Sequence, residues 1–223
     1  MADTLWAMGR LSLSRNPHAI LSPWCQRLLR HLRVEVRVEG ALPVGGQLWV
    51  ANHLSWLDPM VLMSLRPSGL LAKREVADYP VVGRGVRKAG VRFVRREDPS
   101  NRATALMGLR RELAAGRNFL LFPEGTTTVG EGLAPLYKGG LRLAYRMQVP
   151  VLTLNLASEH AYYPWVGDDE LLSHIGGLCR RPSTVVRVRP GAVIHPREFA
   201  TEAAWVEGIR EGIHPRQVIE DCA

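Results

Sequence analysis

The chain has 223 residues, of which 46% are hydrophobic and 22% are charged. This length suits one domain with a well-buried core and is short for two, and the composition excludes a disordered or collagen-like chain. The net charge of +8 and the pI of about 10.0 indicate an anionic partner, without distinguishing nucleic acid, lipid headgroup and phosphorylated metabolite.

The N-terminal region is basic and amphipathic. Between Leu11 and Leu32, apolar residues alternate with arginines, which predicts a helix broken near Pro23. Because charges and prolines interrupt its apolar stretch, we expect neither a signal peptide nor a membrane-spanning helix. Two interpretations stay open: a helix packed on the domain, or one lying at a membrane surface. We expect residues 1–33 to form this helical region and residues 34–223 to form the domain.

The rest of the chain alternates strand and helix patterns. Strands are predicted at Val34–Glu39, Leu48–Ala51, Leu70–Ala72, Val91–Val94, Phe119–Phe122, Val149–Leu156 and Val185–Val193. Helices are predicted from Pro59 with Asp58 as N-cap, at Val81–Lys88, at Pro99–Ala115 with Asp98 as N-cap and Gly116 as stop, at Gly139–Met147 and at Glu202–Gly212. The first two strands are expected to pair. This alternation predicts a single-domain α/β fold with a mixed, mostly parallel sheet flanked by helices.

The three cysteines, Cys25, Cys179 and Cys222, show no C-x-x-C spacing. Their odd number and wide separation favour neither a disulfide framework nor a zinc site. A reducing, cytoplasmic setting is consistent with this cysteine usage.

The first chemically informative segment is Asn52-His53-Leu54-Ser55-Trp56-Leu57-Asp58-Pro59, which leaves an apolar strand. Active sites of α/β folds lie at strand ends. His53 can take a proton from a hydroxyl nucleophile, and Asp58 can fix the tautomer of the imidazole and stabilise the imidazolium. The alternative is a polar residue at a strand end followed by a helix-capping aspartate.

The second segment, Phe122-Pro123-Glu124-Gly125-Thr126-Thr127-Thr128, also follows an apolar strand. Backbone N–H groups around Gly125 can form an anion-binding nest, and the threonine hydroxyls can donate to a phosphate or an oxyanion. An ordinary glycine-containing turn is the alternative.

Together the two segments resemble the N-H-x-S-x-x-D and F-P-E-G-T blocks of the 1-acylglycerol-3-phosphate acyltransferase (lysophospholipid acyltransferase) family. Between them, Gly90-Val91-Arg92-Phe93-Val94-Arg95-Arg96 resembles the family's intermediate block, and Arg96 matches its arginine. Tyr137-Lys138-Gly139-Gly140 and Val149-Pro150-Val151 resemble later segments, although the second proline common in the family is absent here. The resemblance covers about Leu48 to Leu156 and implies an α/β acyltransferase.

The resemblance also implies roles for individual residues. His53 would deprotonate the hydroxyl of a lyso-lipid, Asp58 would hold the imidazole, and Arg96 would bind phosphate. The same substrate pocket would include Glu124, Gly125, Thr126 and, as a weaker candidate, Lys138. Neither a metal nor a cofactor is expected, because acyl-CoA or acyl carrier protein serves as a substrate. 1-Acylglycerol-3-phosphate is the first choice of acceptor and lyso-ornithine lipid the alternative.

The expected partners are therefore a lysophospholipid, an acyl thioester and an anionic membrane surface, with no nucleic acid. The expected location is cytoplasmic, peripheral to the inner face of the cell membrane. Two other hypotheses stay open: a basic nucleic-acid-binding domain, which explains only the charge, and a hydrolytic metal site made of His53, Asp58 and Glu124. The sequence leaves open the acceptor, the donor, the acyl chain length and the oligomeric state.

Overall fold

A computed structural model describes residues 18–43, 48–73, 91–94, 98–167 and 170–215. Within these ranges the elements are, in chain order, α1 (His18–His31), β1 (Val34–Val38), β2 (Leu48–Ala51), α2 (Asp58–Leu65), β3 (Gly69–Lys73), β4 (Val91–Val94), α3 (Pro99–Ala114), β5 (Phe119–Leu121), α4 (Gly139–Arg146), β6 (Val151–Ser158), α5 (Leu171–Arg180), β7 (Thr184–Ile194), a 3₁₀ turn (Pro196–Glu198) and α6 (Glu202–Ile213). The predicted helix Val81–Lys88 lies outside the described residues.

The described strands form one seven-stranded sheet in the order β1-β7-β6-β2-β5-β3-β4. β6, β2, β5, β3 and β4 run parallel, whereas β7 is antiparallel to β6 and parallel to β1. The sequence-based prediction of an α/β fold with a mixed, mostly parallel sheet is confirmed. The predicted pairing of the first two strands is wrong, because β2 is paired on both edges, with β5 and β6, while β1 pairs with β7 at the sheet edge.

Helices cover both faces of the sheet. Along β2, Trp49 and Ala51 point into one core, which includes residues of α1, α2 and α5, while Leu48 and Val50 point into the other, with α3, α4 and α6. This alternation follows from the two-residue period of a strand. The central strand is therefore apolar throughout, as expected for a strand buried on both faces.

Helix α1 runs without a break from His18 to His31. The predicted break near Pro23 is wrong, since Pro23 lies inside the helix on its exposed side, where water can satisfy the carbonyl that proline leaves unpaired. Among the described helices, none combines the length and the apolar character needed to span a bilayer.

The inner face of α1 packs against the domain. Leu21, Cys25 and Leu29, at intervals of four residues, are at most 2% exposed. The helix is also tied to the C-terminal part of α2, because the Ser22 hydroxyl and the Gln26 amide both donate to the carbonyl of Ser64, at 2.7 and 2.9 Å. The described part of the N-terminal region is thus packed on the domain, and its predicted membrane contact stays a prediction.

Helix α3 has the termini that the sequence predicts. Asp98 is its N-cap and accepts hydrogen bonds from the backbone N–H groups of Ser100 and Asn101. Gly116 follows its end with a φ of 66°, the left-handed conformation that glycine adopts without strain. Helix α5 is absent from the sequence-based prediction; its N-cap, Glu170, makes no capping hydrogen bond, and Gly176 and Gly177 interrupt its apolar pattern.

Candidate active site

Three neighbouring parallel strands deliver the polar segments of the site. β2 lies between β5 and β6 in the sheet, so the carboxyl ends of these strands meet at one edge. The segments that leave them are residues 52–57, 122–128 and 159–167. Sites at the carboxyl edge of a parallel sheet are the rule in open α/β folds.

His53 and Asp58 contact each other directly. The Nδ1 atom of His53 lies 2.8 Å from Oδ2 of Asp58. Because an ionised carboxylate only accepts hydrogen bonds, Nδ1 of a neutral His53 carries the proton and Nε2 carries the lone pair. The His53 side chain is 17% exposed, whereas the Asp58 side chain is fully buried. An imidazole held by a carboxylate in this way can act as a general base.

The Asp58 carboxylate accepts four hydrogen bonds in all. Besides the imidazole, the backbone N–H groups of Leu54 and Ser55 donate to Oδ2 at 2.6 and 2.8 Å, and the Tyr163 hydroxyl donates to Oδ1 at 2.6 Å. These donors stabilise a charge that would otherwise be costly to bury. The predicted N-cap role of Asp58 is wrong, because Leu57 occupies the cap position and the carboxylate turns back to the preceding loop instead.

The second segment holds His53 in place from three directions. The backbone N–H of His53 donates to Oε1 of Glu124 at 2.8 Å, and its carbonyl accepts from the N–H of Thr128 at 2.8 Å. The imidazole stacks on the ring of Phe122, with centroids 4.1 Å apart and planes inclined by 18°. The position of His53 is therefore fixed by the stacking of its ring on Phe122, by the hydrogen bond at Nδ1 and by the two hydrogen bonds of its backbone.

Glu124 is buried and links the loop that carries His53 to a later part of its own loop. Its Oε1 atom accepts from His53, and its Oε2 atom accepts from the backbone N–H of Ala134 at 2.9 Å. Burial raises the pKa of the Glu124 carboxyl, and the hydrogen bonds from Ala134 and His53 oppose that shift. The structure thus shows Glu124 as a link within the site, and its contact with substrate stays a prediction.

Around Gly125, some of the backbone N–H groups that were expected to form an anion-binding nest donate to carbonyls of the protein instead. Gly125 has a φ of 68°, and its N–H donates to the carbonyl of Phe122 at 3.1 Å. Since the N–H of Thr128 is also engaged, two of the amides expected to bind an anion already have partners within the protein. Thr126 is exposed beside the turn.

A cleft of about 320 Å³ opens beside Phe122, the residue whose ring stacks on the imidazole of His53. Its apolar wall consists mainly of Leu71, Val94, Ala105, Leu106, Leu121 and Phe122. Gly125, Lys138 and Arg102 also line it, so that basic side chains lie beside an apolar volume. This combination suits an amphiphile with an alkyl chain and an anionic group. Arg96 lies outside the described residues, and its role stays a prediction.

The segment after β6 packs against the loop between His53 and Asp58. The N–H of Trp165 donates to the carbonyl of Leu54 at 2.9 Å. The indole N–H of Trp56 donates to Nδ1 of His174 on α5 at 3.1 Å. Sequence reasoning missed Tyr163, because no local pattern marks it; only its position after a strand next to β2 would have suggested it.

The arrangement of acceptors bears on the hypothesis of a metal site made of His53, Asp58 and Glu124. Both oxygens of each carboxylate already accept hydrogen bonds from protein groups. Among the residues that the structure describes, no group of three or more histidine, cysteine, aspartate or glutamate side chains is placed to hold a metal ion.

Comparisons with known proteins agree with this geometry. The acyltransferase family profile matches residues 33–157, more than half of the chain. The chain is 41% identical over 164 residues to a lyso-ornithine lipid O-acyltransferase of Pseudomonas aeruginosa, covering 70% of this chain and 62% of that protein. It is 38% identical over 188 residues to a 1-acyl-sn-glycerol-3-phosphate acyltransferase of Neisseria meningitidis serogroup B, covering 80% and 71%.

The fold has a solved counterpart. The crystal structure of the 1-acyl-sn-glycerophosphate (LPA) acyltransferase PlsC of Thermotoga maritima matches with a TM-score of 0.69 at 21% identity, over 93% of this chain and 86% of that one. The sequence relatives above are longer than the matched region, and the chain spans 62% of the Pseudomonas protein. The matched profile and the arrangement of His53 and Asp58 lead to one conclusion: this chain belongs to the acyltransferase family.

Proposed function

We propose that the protein transfers a fatty acyl group from a thioester, acyl-CoA or acyl carrier protein, to the free hydroxyl of a lyso-lipid. The contact of 2.8 Å between His53 Nδ1 and Asp58 Oδ2 carries this proposal, because it leaves the Nε2 lone pair for a hydroxyl proton. The neighbouring apolar cleft provides a place for an alkyl chain. Family membership independently favours acyl transfer.

In the proposed reaction, Nε2 of His53 removes the proton from the acceptor hydroxyl as the oxygen attacks the thioester carbonyl. The carbonyl electrons move to oxygen in a tetrahedral intermediate and return as the carbon–sulfur bond breaks. The imidazolium, stabilised by Asp58, then protonates the leaving thiolate. The products are an ester and a free thiol, and His53 regains its neutral state.

The acceptor that we propose first is 1-acylglycerol-3-phosphate, with phosphatidic acid as the product. Support comes from the Neisseria relative, whose name states this substrate class, and from Lys138 and Arg102 beside the apolar wall of the cleft. Basic side chains pair well with a phosphate. Arg96, Glu124, Gly125 and Thr126 are the further residues that the family resemblance assigns to acceptor binding.

Lyso-ornithine lipid is the second candidate acceptor. The specific observation in its favour is the 41% identity to the Pseudomonas lyso-ornithine lipid O-acyltransferase. Three further relatives with that name, from Rhodobacter capsulatus, Brucella abortus and Rhizobium meliloti, are 30–31% identical. Both candidates use the same chemistry at His53, so only the acceptor distinguishes them.

We further propose that the protein works at the inner face of the cell membrane as a peripheral enzyme. Its net charge of +8 favours attraction to anionic lipids. Arg30 and Arg33 lie on the exposed part of the N-terminal region and are candidates for this contact. Flotation with anionic vesicles tests the proposal: Arg30→Glu should weaken binding and make it less sensitive to salt.

The test of the catalytic proposal is a product assay with purified protein. Each of the two acceptors is offered with acyl-CoA and with acyl carrier protein, and products are identified by mass spectrometry in the presence and absence of EDTA. Ester formation that requires His53 and resists EDTA supports acyl transfer. No ester with any pair would refute it, and loss of activity with EDTA would favour the metal hypothesis. Salt-sensitive retention of DNA or RNA without acyl transfer would favour the nucleic-acid hypothesis.

A further inference from the structure

We propose that Tyr163 is a positioning residue for acyl transfer, which orients Asp58 and moderates its charge through a hydrogen bond to Oδ1. The proposal rests on the acyl transfer function given above. Tyr163 has no contact with the reacting atoms in this role, because its side chain is fully buried. It acts on His53 only through Asp58.

The two oxygens of Asp58 have different partners. Oδ2 accepts from His53 Nδ1 and from the backbone N–H groups of Leu54 and Ser55. Oδ1 accepts from the hydroxyl of Tyr163 at 2.6 Å, a short bond of the kind formed by a hydroxyl with an anionic oxygen. The backbone N–H groups of the loop donate to Oδ2, and Tyr163 supplies the hydrogen bond to Oδ1.

Tyr163 is constrained to be a donor. Burial, followed by the negative charge of Asp58, raises the pKa of its hydroxyl well above the ordinary value. The hydroxyl accordingly keeps its proton throughout the pH range in which an enzyme works. It cannot exchange protons with the acceptor lipid, which distinguishes it from a second catalytic base.

The backbone around Tyr163 fixes the direction of this bond before any substrate binds. The N–H of Tyr163 donates to the carbonyl of His160 at 2.9 Å, which forms a turn after β6. Two residues later, the N–H of Trp165 donates to the carbonyl of Leu54 at 2.9 Å, in the loop that carries His53. A donor held in this way needs no reorganisation during the reaction.

The hydrogen bond from Tyr163 should make the Asp58 carboxylate less basic. Donation by Tyr163 draws negative charge toward Oδ1 and reduces the basicity of Oδ2. Removing the donor makes the carboxylate a stronger partner for the imidazolium, so His53 would remain protonated to a higher pH. The acidic limb of the rate profile, which reports the protonation of the base in the free enzyme, should move to higher pH. Glu124, a titratable group with a raised pKa that faces His53 from the neighbouring loop, is the same in all the variants compared.

The first test compares Tyr163→Phe with Tyr162→Phe in the full chain. Tyr162 is a matched neighbour whose hydroxyl bonds to the carbonyl of Ser183 at 3.1 Å, away from Asp58. Tyr163→Phe should lower kcat by roughly tenfold, leave the acceptor KM unchanged and shift the acidic limb of kcat/KM to higher pH. Tyr162→Phe should leave the limb in place. An unshifted limb in Tyr163→Phe would overturn the proposal.

A second variant covers the case in which Tyr163→Phe does not fold. A ring-fluorinated tyrosine at position 163 keeps the hydroxyl and makes it a stronger donor. It should move the acidic limb in the opposite direction, to lower pH, which a purely structural role does not explain. A limb that stays in place, or moves to higher pH, would contradict the proposal.

A spectroscopic readout separates this proposal from the proposed function. The proton between His53 Nδ1 and Asp58 should give a downfield NMR signal that is absent in His53→Gln. That signal should move further downfield in Tyr163→Phe and upfield with fluorotyrosine, whether or not any lipid is acylated. Failure of acyl transfer with this pattern present would refute the function and retain the coupling of Tyr163 to His53. A signal that does not respond would overturn the proposal itself.

Discussion

The side chain of Asn52, which directly follows β2, is hydrogen-bonded to the backbone of Leu156 on the neighbouring strand β6. Its Nδ2 atom donates to the carbonyl of Leu156 at 2.9 Å, and its Oδ1 atom accepts from the N–H of Leu156 at 2.7 Å. The side chain thus engages both backbone groups of one residue of β6, directly after the last residue of β2. The asparagine that precedes His53 therefore fixes the start of the loop between β2 and α2 against β6.

Asn52→Asp should destabilise the protein more than Asn52→Ala. Alanine removes two buried hydrogen bonds and should lower the free energy of unfolding by about 2 kcal/mol. Aspartate adds a buried charge that faces the Leu156 carbonyl, and about 3–5 kcal/mol is expected. Denaturant unfolding of the wild type and the two variants measures their order of stability. Equal stabilities for the two variants would show that the buried charge of the aspartate costs nothing beyond the loss of the two hydrogen bonds.

Cys25 reports whether α1 stays on the domain. Burial raises the pKa of its thiol to about 12, and the residue is 0% exposed, so iodoacetamide at neutral pH should not alkylate it in the folded protein. Cys179 is exposed and serves as the internal control. Mass mapping should find label on Cys179 and none on Cys25.

The same labelling, repeated with anionic vesicles, distinguishes the two interpretations of the N-terminal helix. A helix that remains packed keeps Cys25 protected on the membrane, whereas a helix that inserts by leaving the domain exposes it. We expect protection, because Leu21 and Leu29 are buried in the same core as Trp49. Rapid labelling of Cys25 in the absence of vesicles would contradict the packing of α1.

Glu124→Gln should lower both stability and turnover. A glutamine side chain has one acceptor oxygen, so it cannot accept from both His53 and Ala134, and one buried N–H loses its partner. We expect a loss of about 1–3 kcal/mol in the free energy of unfolding and a lower kcat, because the backbone of His53 is less firmly held. Thermal melts and kinetics measure these effects. Glu131→Gln, on an exposed residue of the nearby loop, is the control and should change neither.

The contribution of Glu124 to the free energy of unfolding should decrease as the pH rises. Because the folded-state pKa is raised above the ordinary 4.5, the stabilising contribution is fully present below pH 4.5 and is lost as the pH rises through the folded-state pKa. Relative to Glu124→Gln, the wild type should therefore be more stable in acid than at neutral pH. A difference in free energy that does not vary with pH would show that Glu124 ionises as it does in the unfolded chain.

Glu39 should behave in the opposite way. Hydrogen bonding to Arg189 first, and to Arg187, lowers the pKa of its carboxyl below the ordinary 4.5, and the bond from Arg187 is 2.8 Å long. The stabilisation is present above pH 4.5 and is lost as the pH falls through the lowered pKa. Since these groups are partly exposed, Glu39→Gln should cost no more than about 1 kcal/mol at neutral pH. An unchanged cost in acid, or at high salt, would argue against an ionic origin.

Much of the site was predictable from local sequence. A five-residue separation around a turn brings His53 to Asp58, and the apolar strands before both motifs place them at the same edge of a parallel sheet. The cap of α3 at Asp98 followed from local chemistry as well. In each case the decisive contact lies within a few residues or follows from strand direction.

The remaining features depend on contacts distant in sequence. The hydroxyl of Tyr163 reaches Asp58 across 105 positions, and no local pattern marks it. The pairing of β1 with β7 instead of β2 is equally non-local, because adjacent strands in sequence need not be neighbours once β7 returns antiparallel to β6. Pro23 was interpreted as a break because its exposed position on α1 is a property of the packed helix.

The most direct measurement is the turnover of His53→Gln with the acceptor that the wild type uses, together with its thermal melt. His53 Nε2 is the proposed base, so kcat should fall by about 10²- to 10⁴-fold. The melting temperature should stay close to that of the wild type, because the side chain is partly exposed. A folded His53→Gln protein that retains a substantial part of wild-type turnover would contradict the assignment of this histidine as the base.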